Sequence, residues 1–507
     1  MTEITVIAAS NASLPPPRIN RHLIDGAWND SEGGATFGRI SPSHAVEVSR
    51  SAMGGAPEAN AAITAARTAF DEGSWRQMPA RERAAVLNRV ADLIDREREH
   101  IALIEVLESG KPITQARGEI AGAADLWRYA ASLARTVHGE SHNNLGPDML
   151  GVVLKEPVGV AAIITPWNFP FLIVSQKLPF ALAAGCTAVV KPSEMTPSTT
   201  VILGELLVEA GLPAGVVNIV LGYGDPVGEI MSIHPDVDMV SFTGSTGVGK
   251  RIVAAAAGTL KKVSLELGGK NPQVIFPDAD LDAAADAIVF GVYFNAGECC
   301  NSGSRIIVHE DISGALLEKV RVLSTKVPFG DPLDDRTQVG AIISEEHQQK
   351  IDGYVKDAAK AGARVDMGGI ALSVPGLEGH FYGPTVVSGV TPDMAIAREE
   401  VFGPVLSVLT FTDEDEALLL ANDAAYGLSA GVWSRDIHTC LNFSRKVQAG
   451  TVWTNTWMDG FAEMPFGGVR ESGQGRELGR YGLEEYLEIK TVQLRVARGR
   501  AFWVNHN

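Results

Sequence analysis

The stretch VGVAAIITPWNFPFLIVSQKLPFALAAGCTAVVKPS, residues 158–193, carries the signal of a strand, a helix and a second strand. The short apolar run VGVAAIITPW predicts a buried strand, FLIVSQKLPFALAAG predicts a helix that ends at a glycine, and CTAVVKPS predicts the next strand. The same rhythm continues through GVVNIVLG, VDMVSFTG and KKVSLELGG. Strands that alternate with helices predict an α/β fold with a Rossmann-like, doubly wound parallel sheet.

The regions on either side of this series differ from it in composition and periodicity. Residues 58–137 are rich in Ala, Glu, Arg and Leu at helical spacing, which predicts a block of helices. A second α/β series starts with LDAAADAIVFGVYF and continues through SRIIVHEDI, VLSVLTF, LSAGVWS and TVWTNT. The final YLEIKTVQLRVARGRAFWV predicts an exposed edge strand, which usually needs a cover such as another subunit.

Composition excludes several classes of function. The chain has 507 residues, a formal net charge of −18 and a pI near 5.1. Nucleic acids and anionic membranes require clustered Lys and Arg, so we expect neither as a partner. The start, MTEITVIAASNASLPPPRIN, lacks a basic segment followed by an apolar one and is interpreted as a loose leader rather than a signal peptide. Prolines and charges interrupt the most apolar run, so no transmembrane helix is expected.

Four cysteines do not make a disulfide framework. We expect Cys186 and Cys440 in or beside the core. A bond between adjacent Cys299 and Cys300 would close a strained ring. This usage favours a reducing compartment, most simply the cytoplasm. His138 and His142 lie four apart in HGESH, but without the HExxH order we expect a solvated loop and no metal.

The segment FTGSTGVGKR, residues 242–251, resembles a phosphate-binding loop only in part. Gly244, Gly249 and Lys250 fit the G-x-x-x-x-G-K pattern, but Arg251 stands where Ser or Thr would bind Mg²⁺. A strand, a Gly/Ser turn and a helix start remain, and this geometry favours an anion such as a nucleotide phosphate. A tight turn without a ligand is the alternative.

Polar residues follow several of the predicted strands, where open α/β sheets bind ligands. Lys191 and Glu194 in VVKPSE can bind a ribose, or form an ordinary surface ion pair. Asn168 in TPWNFP can donate two hydrogen bonds to an oxyanion, or form an Asx turn. Glu266 in SLELGG has an apolar setting that would raise its pKa and suit a general base, or it caps the turn.

The cysteine pair lies in GECCNSGSR, where a helix runs into a Gly/Ser-rich loop. One thiol is therefore expected to be partly exposed. Glu298 beside the pair would raise a thiol pKa, so activation must come from elsewhere. These residues alone leave nucleophile and packing roles both open.

In their order and spacing, eight stretches resemble the aldehyde dehydrogenase superfamily: PWNFP, KPSE, FTGSTGVG, LELGGKNP, GECCNSGSR, EEVFGPV, MPFGGVRESGQGREL and EYLEIKTV. The resemblance covers roughly residues 20–495. It implies NAD-dependent oxidation of an aldehyde to a carboxylic acid through a thiohemiacetal and a thioester on Cys300. NADP is disfavoured, since Glu194 would repel its 2′-phosphate.

The resemblance also implies a role for each matching position. Its catalytic group comprises the nucleophile Cys300, the oxyanion donor Asn168, the general base Glu266, and the proton-relay residues Lys177 and Glu477. Its cofactor-binding group comprises Thr165, Trp167, Lys191, Glu194, Gly244, Ser245, Gly268, Glu400 and Phe402. Its substrate-tunnel group comprises Phe169, Ile173, Tyr293, Glu298, Cys299, Trp457, Phe461 and Phe466.

One position departs from the family pattern, which usually has Gln where this chain has Glu298. We expect this residue to alter substrate preference more than it lowers activity. An aromatic tunnel with a carboxylate favours a cationic aldehyde such as betaine aldehyde or an aminoaldehyde through cation–π contacts. A general aromatic or aliphatic aldehyde is the alternative.

The resemblance divides the chain into an NAD-binding domain (1–137 and 158–267), a catalytic α/β domain (268–473) and a small β arm for bridging and oligomerisation (138–157 and 474–507). It implies a homo-oligomer, a dimer or a tetramer. Three other classes of function remain as competitors: a P-loop phosphotransferase, a thiol acyltransferase that uses Cys300, and a non-enzymatic structural protein on the same fold.

Overall fold

The computed structural model of the chain describes residues 4–10, 13–499 and 504. The described residues contain fifteen α-helices. Their bounds are α1 Ala56–Asp71, α2 Ala80–Arg96, α3 Arg98–Ser109, α4 Ile113–Ala134, α5 Pro170–Ala184, α6 Ser198–Glu209, α7 Glu229–Ile233, α8 Thr246–Ala256, α9 Leu281–Tyr293, α10 Glu310–Ser324, α11 Glu345–Lys360, α12 Ala395–Arg398, α13 Glu414–Asn422, α14 Ile437–Lys446 and α15 Gly479–Glu484. The predicted helical block is α1–α4.

The same residues contain twenty-five strands. Their bounds are β1 Val6–Ile7, β2 Arg18–Asn20, β3 His22–Ile24, β4 Ala27–Asn29, β5 Thr36–Ile40, β6 Glu47–Ala52, β7 Glu140–His142, β8 Met149–Pro157, β9 Val160–Ile164, β10 Thr187–Lys191, β11 Val217–Ile219, β12 Met239–Thr243, β13 Lys262–Glu266, β14 Pro272–Ile275, β15 Arg305–His309, β16 Phe329–Gly330, β17 Arg364–Met367, β18 Ala371–Leu372, β19 Phe381–Tyr382, β20 Thr385–Ser388, β21 Val405–Phe411, β22 Ser429–Trp433, β23 Thr451–Thr454, β24 Gly473–Gln474 and β25 Leu487–Arg495.

The first sheet has the order β24-β13-β12-β9-β10-β11-β3-β4, and its five strands from β13 to β11 are parallel. Every residue of β9 and β10 is buried, as a parallel sheet covered on both faces requires. Between them, α5 begins with Pro170 and ends at Gly185, whose φ is +101°. The chain adds β10 and β11 on one side of β9, then β12 and β13 on the other. The predicted doubly wound sheet is confirmed.

The second sheet has the order β17-β20-β21-β15-β14-β22-β23 and is parallel except at β17. Its hydrophobic core is separate from the cores of the first sheet. The helix α9 leads into the cysteine pair, as its sequence predicts. The second α/β series is therefore confirmed.

The third sheet joins β25 to β8 and β7, all antiparallel. The predicted strand in the last stretch is present as β25. Residues 500–503 of that stretch, and residues 505–507 after it, lie outside the described residues. The start of the chain is not a loose leader, because Val6–Ile7 pairs in parallel with Phe329–Gly330. Two residues are too few for an alternation pattern to show in the sequence. Residues 1–3, 11 and 12 lie outside the description.

No helix of the described residues combines the length and the apolarity that crossing a bilayer requires. Cys186 and Cys440 are buried, which confirms their predicted place in the core. His142 lies in the exposed β7, where its ring faces Glu140 at 3.6 Å.

Candidate active site

The loop after α9 turns sharply and carries the two cysteines. Asn295, Ala296 and Gly297 have consecutive φ values of +50°, +56° and +74°. Gly297 is required, because a Cβ there would lie 2.2 Å from the carbonyl oxygen of Gly403. Beyond this turn Cys299 is buried and Cys300 is partly exposed, in agreement with the expectation of one accessible thiol.

Cys300 opens into a cavity of about 250 Å³ between the two large sheets. One part of the cavity wall consists of residues at or just after the ends of strands β9, β12 and β13 of the first sheet. The other part comes from loops and a helix of the second α/β series. The lining residues are Pro166, Trp167, Asn168, Ile173, Thr243, Gly244, Ser245, Leu267, Gly268, Cys300, His347, Lys350, Glu400 and Phe402.

The thiol form of Cys300 is favoured in this environment. A hydrogen bond with the Cys299 thiol and burial raise the pKa of Cys300 well above its ordinary value. The carboxylates of Glu400 and Glu266 add to this rise. Nucleophilic attack therefore requires removal of the thiol proton within the site.

Asn168 lies beside the cysteine loop and is 4 % exposed. Its Nδ2 donates to the carbonyl oxygen of Glu298 at 3.0 Å. Asn295 Nδ2 donates to the same oxygen at 3.0 Å and to the Asn168 carbonyl at 3.2 Å. One N–H of Asn168 is thus anchored on the loop, and its second N–H is left for a group in the cavity.

Glu266 lies at the end of β13 and is buried beside the pair formed by Lys177 and Glu477. Burial, and then the charge of Glu477, raise the pKa of Glu266 well above its usual range. Neither of its carboxylate oxygens has a hydrogen-bond partner among the described residues. Its Oε1 lies 2.5 Å from where a Cβ of Gly467 would stand, and Glu266 does not line the cavity of Cys300.

Lys177 contacts Glu477 in a buried ion pair. Its Nζ also donates to the hydroxyl of Ser241 at 3.1 Å. The structure therefore brings Lys177 and Glu477 together near Glu266, as the resemblance implies.

On the cofactor side, Lys191 ends β10 and is 3 % exposed. Burial lowers the pKa of Lys191, while Glu194 at 3.7 Å opposes that shift. The hydroxyls of Thr165 and Thr243 are buried and find no partner within the described part of the chain. Unpartnered polar groups at this edge fit a polar ligand that would pair with them.

Ser245 caps α8, and its hydroxyl accepts a hydrogen bond from the Val248 amide at 3.4 Å. Gly244 and Ser245 line the cavity, so the first turn of this helix lies beside it. Lys250 instead pairs with Glu471 at 2.9 Å on the surface. Lys250 therefore does not take the position of a P-loop lysine, and the anion site remains a prediction beside the tight turn without a ligand.

Glu400 is held against the Gly268–Gly269 turn. Its Oε1 accepts the Gly269 amide at 3.0 Å, and burial raises its pKa to about 7. A Cβ on Gly268 would lie 2.5 Å from Oε2 of Glu400, so only glycine leaves room for this carboxyl.

An aromatic group forms the opposite wall. Trp167 and Phe402 meet edge to face at 5.4 Å, and Phe402 has a φ of +59°. His347 Nε2 donates to the Phe402 carbonyl at 2.7 Å, which supports that strained backbone. Sequence reasoning did not single out Thr243, although it lies within FTGSTGVG, and it missed His347 and Lys350, which belong to no motif.

On the substrate side, Phe169, Ile173 and Cys299 form one buried cluster. Phe294 stacks on Phe169 at 6.0 Å. Leu172, Phe294 and Met458 join this cluster, and sequence reasoning did not single them out although each adjoins a predicted residue.

Four predicted tunnel residues lie outside this cluster. The Tyr293 hydroxyl bonds Ser324 at 3.2 Å in the second core, and Trp457 fills space against Gly291, Gly303 and Gly431 beneath the loop. Phe461 is 62 % exposed, and Phe466 packs on the core of the first sheet. The resemblance assigned these rings to the tunnel, and a match of sequence positions does not give side-chain direction.

Glu298 also points away from the cavity. Its Oε1 accepts the amide of Ile343 at 2.9 Å, and the side chain is buried. Burial raises the pKa of Glu298 well above its usual value, although Ile343, Arg39 and Lys111 oppose the rise. Burial therefore disfavours the charged form of Glu298, and its hydrogen bond to Ile343 holds the carboxyl outside the cavity of Cys300.

A doubly wound sheet that faces a second α/β sheet across a cavity with a cysteine, an amide and a nearby buried carboxyl defines an enzyme that forms a covalent bond to its substrate. The model of the aldehyde dehydrogenase family matches residues 28–492. The chain therefore belongs to the aldehyde dehydrogenase family, as its sequence predicts.

Similar proteins agree with this membership. Betaine aldehyde dehydrogenase of Bacillus subtilis is 42% identical over 484 residues, covering 95% of this chain and 99% of that protein. The crystal structure of NAD-dependent aldehyde dehydrogenase from Sinorhizobium meliloti is 51% identical, with a TM-score of 0.96 over 98% of this chain and 99% of its own. Betaine aldehyde dehydrogenase from Staphylococcus aureus in complex with NAD⁺ is 41% identical, with a TM-score of 0.93 over 96% and 97%.

Proposed function

We propose that this protein oxidises an aldehyde to the carboxylic acid with NAD⁺ as the hydride acceptor. The observation that carries the proposal is the cavity in which the Cys300 thiol and the Asn168 amide meet the glycine turns and Glu400. A thiol beside a fixed amide donor suits addition to a carbonyl carbon.

The cofactor fits the side of the cavity that faces the first sheet. Thr165, Trp167, Lys191, Glu194, Gly244, Ser245, Gly268, Glu400 and Phe402 would hold it. NAD⁺ is preferred over NADP⁺, since Glu194 would repel a 2′-phosphate. When bound, the nicotinamide supplies the acceptor for the hydride.

The residues of the chain perform the remaining steps. The Cys300 thiol loses its proton to water in the cavity and its sulfur bonds to the aldehyde carbon, and the new oxyanion is stabilised by Asn168 Nδ2 and the Cys300 amide. Departure of the hydride leaves a thioester on Cys300. Glu266 then takes a proton from water, the hydroxide attacks the thioester, and the acid leaves as the thiol re-forms. Lys177 and Glu477 receive and pass on that proton.

Glu266 must turn from its position facing Gly467 to reach the thioester. Glycine at 467 leaves room for the carboxyl in the position described. The absence of hydrogen bonds to its oxygens within the described chain means that the rotation breaks no such bond. A carboxyl that is protonated when buried and ionised near water suits the exchange of protons with Glu477.

For the aldehyde itself, we propose a cationic one such as betaine aldehyde or an aminoaldehyde. The relatives named betaine aldehyde dehydrogenase support this choice. The stacked pair of Phe169 and Phe294 already contacts one cation, because Lys111 Nζ lies 4.4 Å from the centroid of the Phe169 ring. A cation binds over such rings even without a carboxylate, so the buried position of Glu298 does not count against it. A general aromatic or aliphatic aldehyde is the alternative that an aldehyde panel would reveal.

We further propose that residues 1–137 and 158–267 bind the cofactor, that 268–473 carry catalysis, and that 138–157 and 474–507 join subunits of a cytoplasmic dimer or tetramer. The exposed edge of β25, where Ile489 is 71 % exposed, supports this role for the arm. Light scattering after gel filtration would measure the mass, and a monomer at all concentrations would contradict the assembly.

The activity is tested by NADH formation across an aldehyde panel that includes betaine aldehyde and benzaldehyde. Cys300→Ala should abolish NADH formation, whereas the matched neighbour variant Cys299→Ala should retain it. Full activity in Cys300→Ala, or no NADH from any aldehyde with the wild type, would refute the proposal.

A further inference from the structure

Three polar side chains meet at the amino ends of three neighbouring strands in the second sheet. Lys270 lies two residues before β14, Arg305 opens β15, and Ser429 opens β22. Because β14 lies between β15 and β22 and is parallel to both, these positions share one edge of the sheet.

The three side chains line a small cavity of about 10 Å³, separate from the cavity of Cys300. That volume admits a single small particle. Each of the three residues is 2 % exposed. Lys270 Nζ, Arg305 Nε and Ser429 Oγ have no hydrogen-bond partner in the described part of the protein.

The guanidinium of Arg305 is held in place by its other nitrogens. They donate to the carbonyl oxygens of Leu420 and Ala421, at the end of α13, at 3.3 and 3.0 Å. Its Nε is therefore left over as a fixed donor.

The unpartnered groups are almost all donors. When Lys270 is charged, its ammonium and the Arg305 guanidinium carry no acceptor, so only the Ser429 hydroxyl can then accept a hydrogen bond. A water molecule would need acceptors for the two hydrogen bonds that it donates, whereas an anion only accepts and can pair with every one of these groups. The donor set therefore favours an anion over water.

Charge favours the same occupant. Burial, and then the charge of the nearby Arg305, lower the pKa of Lys270 to about 7. Burial lowers the pKa of Arg305 to about 10. Glu399 and Glu400 oppose the shift of Lys270, and Asp423 opposes that of Arg305, yet none forms an ion pair with them in the described chain. A contacting anion would offset the cost of burying both cations.

We propose that this cavity binds one monatomic anion of the size and charge of chloride, between Lys270, Arg305 and Ser429. The bound anion would brace the active-site loop through Asn271. The Asn271 Oδ1 accepts the Ser429 amide at 3.1 Å, and its Nδ2 donates to the Cys300 carbonyl at 2.7 Å. The anion would thus contact Lys270, which precedes Asn271 in the chain, and Ser429, which is hydrogen-bonded to Asn271. The Asn271 side chain in turn positions the carbonyl of Cys300.

Crystals of the wild type grown in sodium bromide test the occupant directly. We expect an anomalous peak within hydrogen-bond distance of Lys270 Nζ, Arg305 Nε and Ser429 Oγ. A water peak without anomalous signal, or an empty cavity, would overturn the proposal. Aldehyde turnover does not enter this measurement.

Thermal unfolding in solution provides a second test. In sodium gluconate at constant ionic strength, replacement by about 0.2 M chloride should raise Tm by about 1–3 °C, because the ligand binds the folded state. Lys270→Met should lose this rise, while the matched surface variant Lys360→Met should keep it. An equal rise in all three proteins, or none in the wild type, would contradict a specific anion site. If Lys270→Met does not fold, Ser429→Ala takes its place, with a reduced rise expected.

Discussion

Asn168 Nδ2 donates a hydrogen bond of 3.0 Å to the carbonyl oxygen of Glu298, two residues before Cys300. The bond ties the segment after β9 to the cysteine loop. It also fixes the direction of the remaining N–H of the amide, which lies in the wall of the cavity that Cys300 shares. A preoriented donor of this kind stabilises an oxyanion without reorganisation during the reaction.

Replacement of Asn168 by Asp keeps the shape but removes both donors. We expect kcat for NADH formation to fall by about 10²–10³, the usual cost of losing one oxyanion donor. Asn295→Gly is the control, because Asn295 donates to the same carbonyl but does not line the cavity. It should cost less than about tenfold. Equal losses in the two variants would mean that Asn168 acts only by anchoring the loop.

A methyl group at position 268 should displace Glu400. The added Cβ of Gly268→Ala would lie 2.5 Å from Oε2 of Glu400, so we expect KM for NAD⁺ to rise about tenfold, which corresponds to about 1.4 kcal/mol. Gly314→Ala is the control, since nothing lies within 4 Å of its Cβ in α10. Steady-state kinetics at saturating aldehyde would measure both, and an unchanged KM in Gly268→Ala would remove Glu400 from the cofactor site.

Glu266→Gln should separate the two halves of the reaction. The variant cannot take a proton from water, so steady-state turnover should fall by about 10²–10⁴. Stopped-flow absorbance should still show a first burst of NADH equal to the enzyme concentration. In the wild type kcat should rise with pH as Glu266 ionises, with an inflection above the usual Glu range. A burst lost together with steady-state turnover would place Glu266 before the thioester.

Glu298→Gln should change the pH dependence of stability rather than the choice of aldehyde. Its carboxyl lies on the Ile343 amide, not in the tunnel, and glutamine can accept the same hydrogen bond. The raised pKa means that the folded state binds this proton more tightly than the unfolded state. Its contribution is complete below the unfolded pKa and is lost as pH rises towards the folded pKa, by about 1.4 kcal/mol per pH unit.

We therefore expect Glu298→Gln to become progressively more stable than the wild type as pH rises above the usual Glu pKa towards the raised pKa of the folded state. Urea unfolding at a series of pH values would measure the difference. A constant difference, or rates that change selectively for cationic aldehydes, would restore the interpretation of Glu298 as a tunnel residue.

The fold was predictable because its signals are local. Buried parallel strands such as β9 and β10 are short continuous apolar runs, and the helix between them carries Pro170 at its start and Gly185 at its end. The pairing of Val6–Ile7 with Phe329–Gly330 was not predictable, because it joins two-residue strands that are distant in sequence.

The site was predictable where function requires a residue at the end of a strand. Asn168, Ser245 and Gly268 follow strands of the first sheet and line one cavity. Side-chain direction was not predictable. Glu298 lies in the cysteine loop, yet its carboxyl accepts a hydrogen bond from the Ile343 amide outside the cavity. Trp457 packs in the space left by three glycines, which is also outside the cavity.

The proposed reaction passes through a thioester on Cys300. Glu266→Gln mixed with aldehyde and NAD⁺ can be quenched in acid and digested, and the peptide containing Cys299 and Cys300 fragmented in a mass spectrometer. We expect one acyl group on Cys300. It should be absent without NAD⁺ and absent in the double variant that combines Glu266→Gln with Cys300→Ala. An acyl group on Cys299, or none on this peptide while NADH is formed, would contradict this expectation.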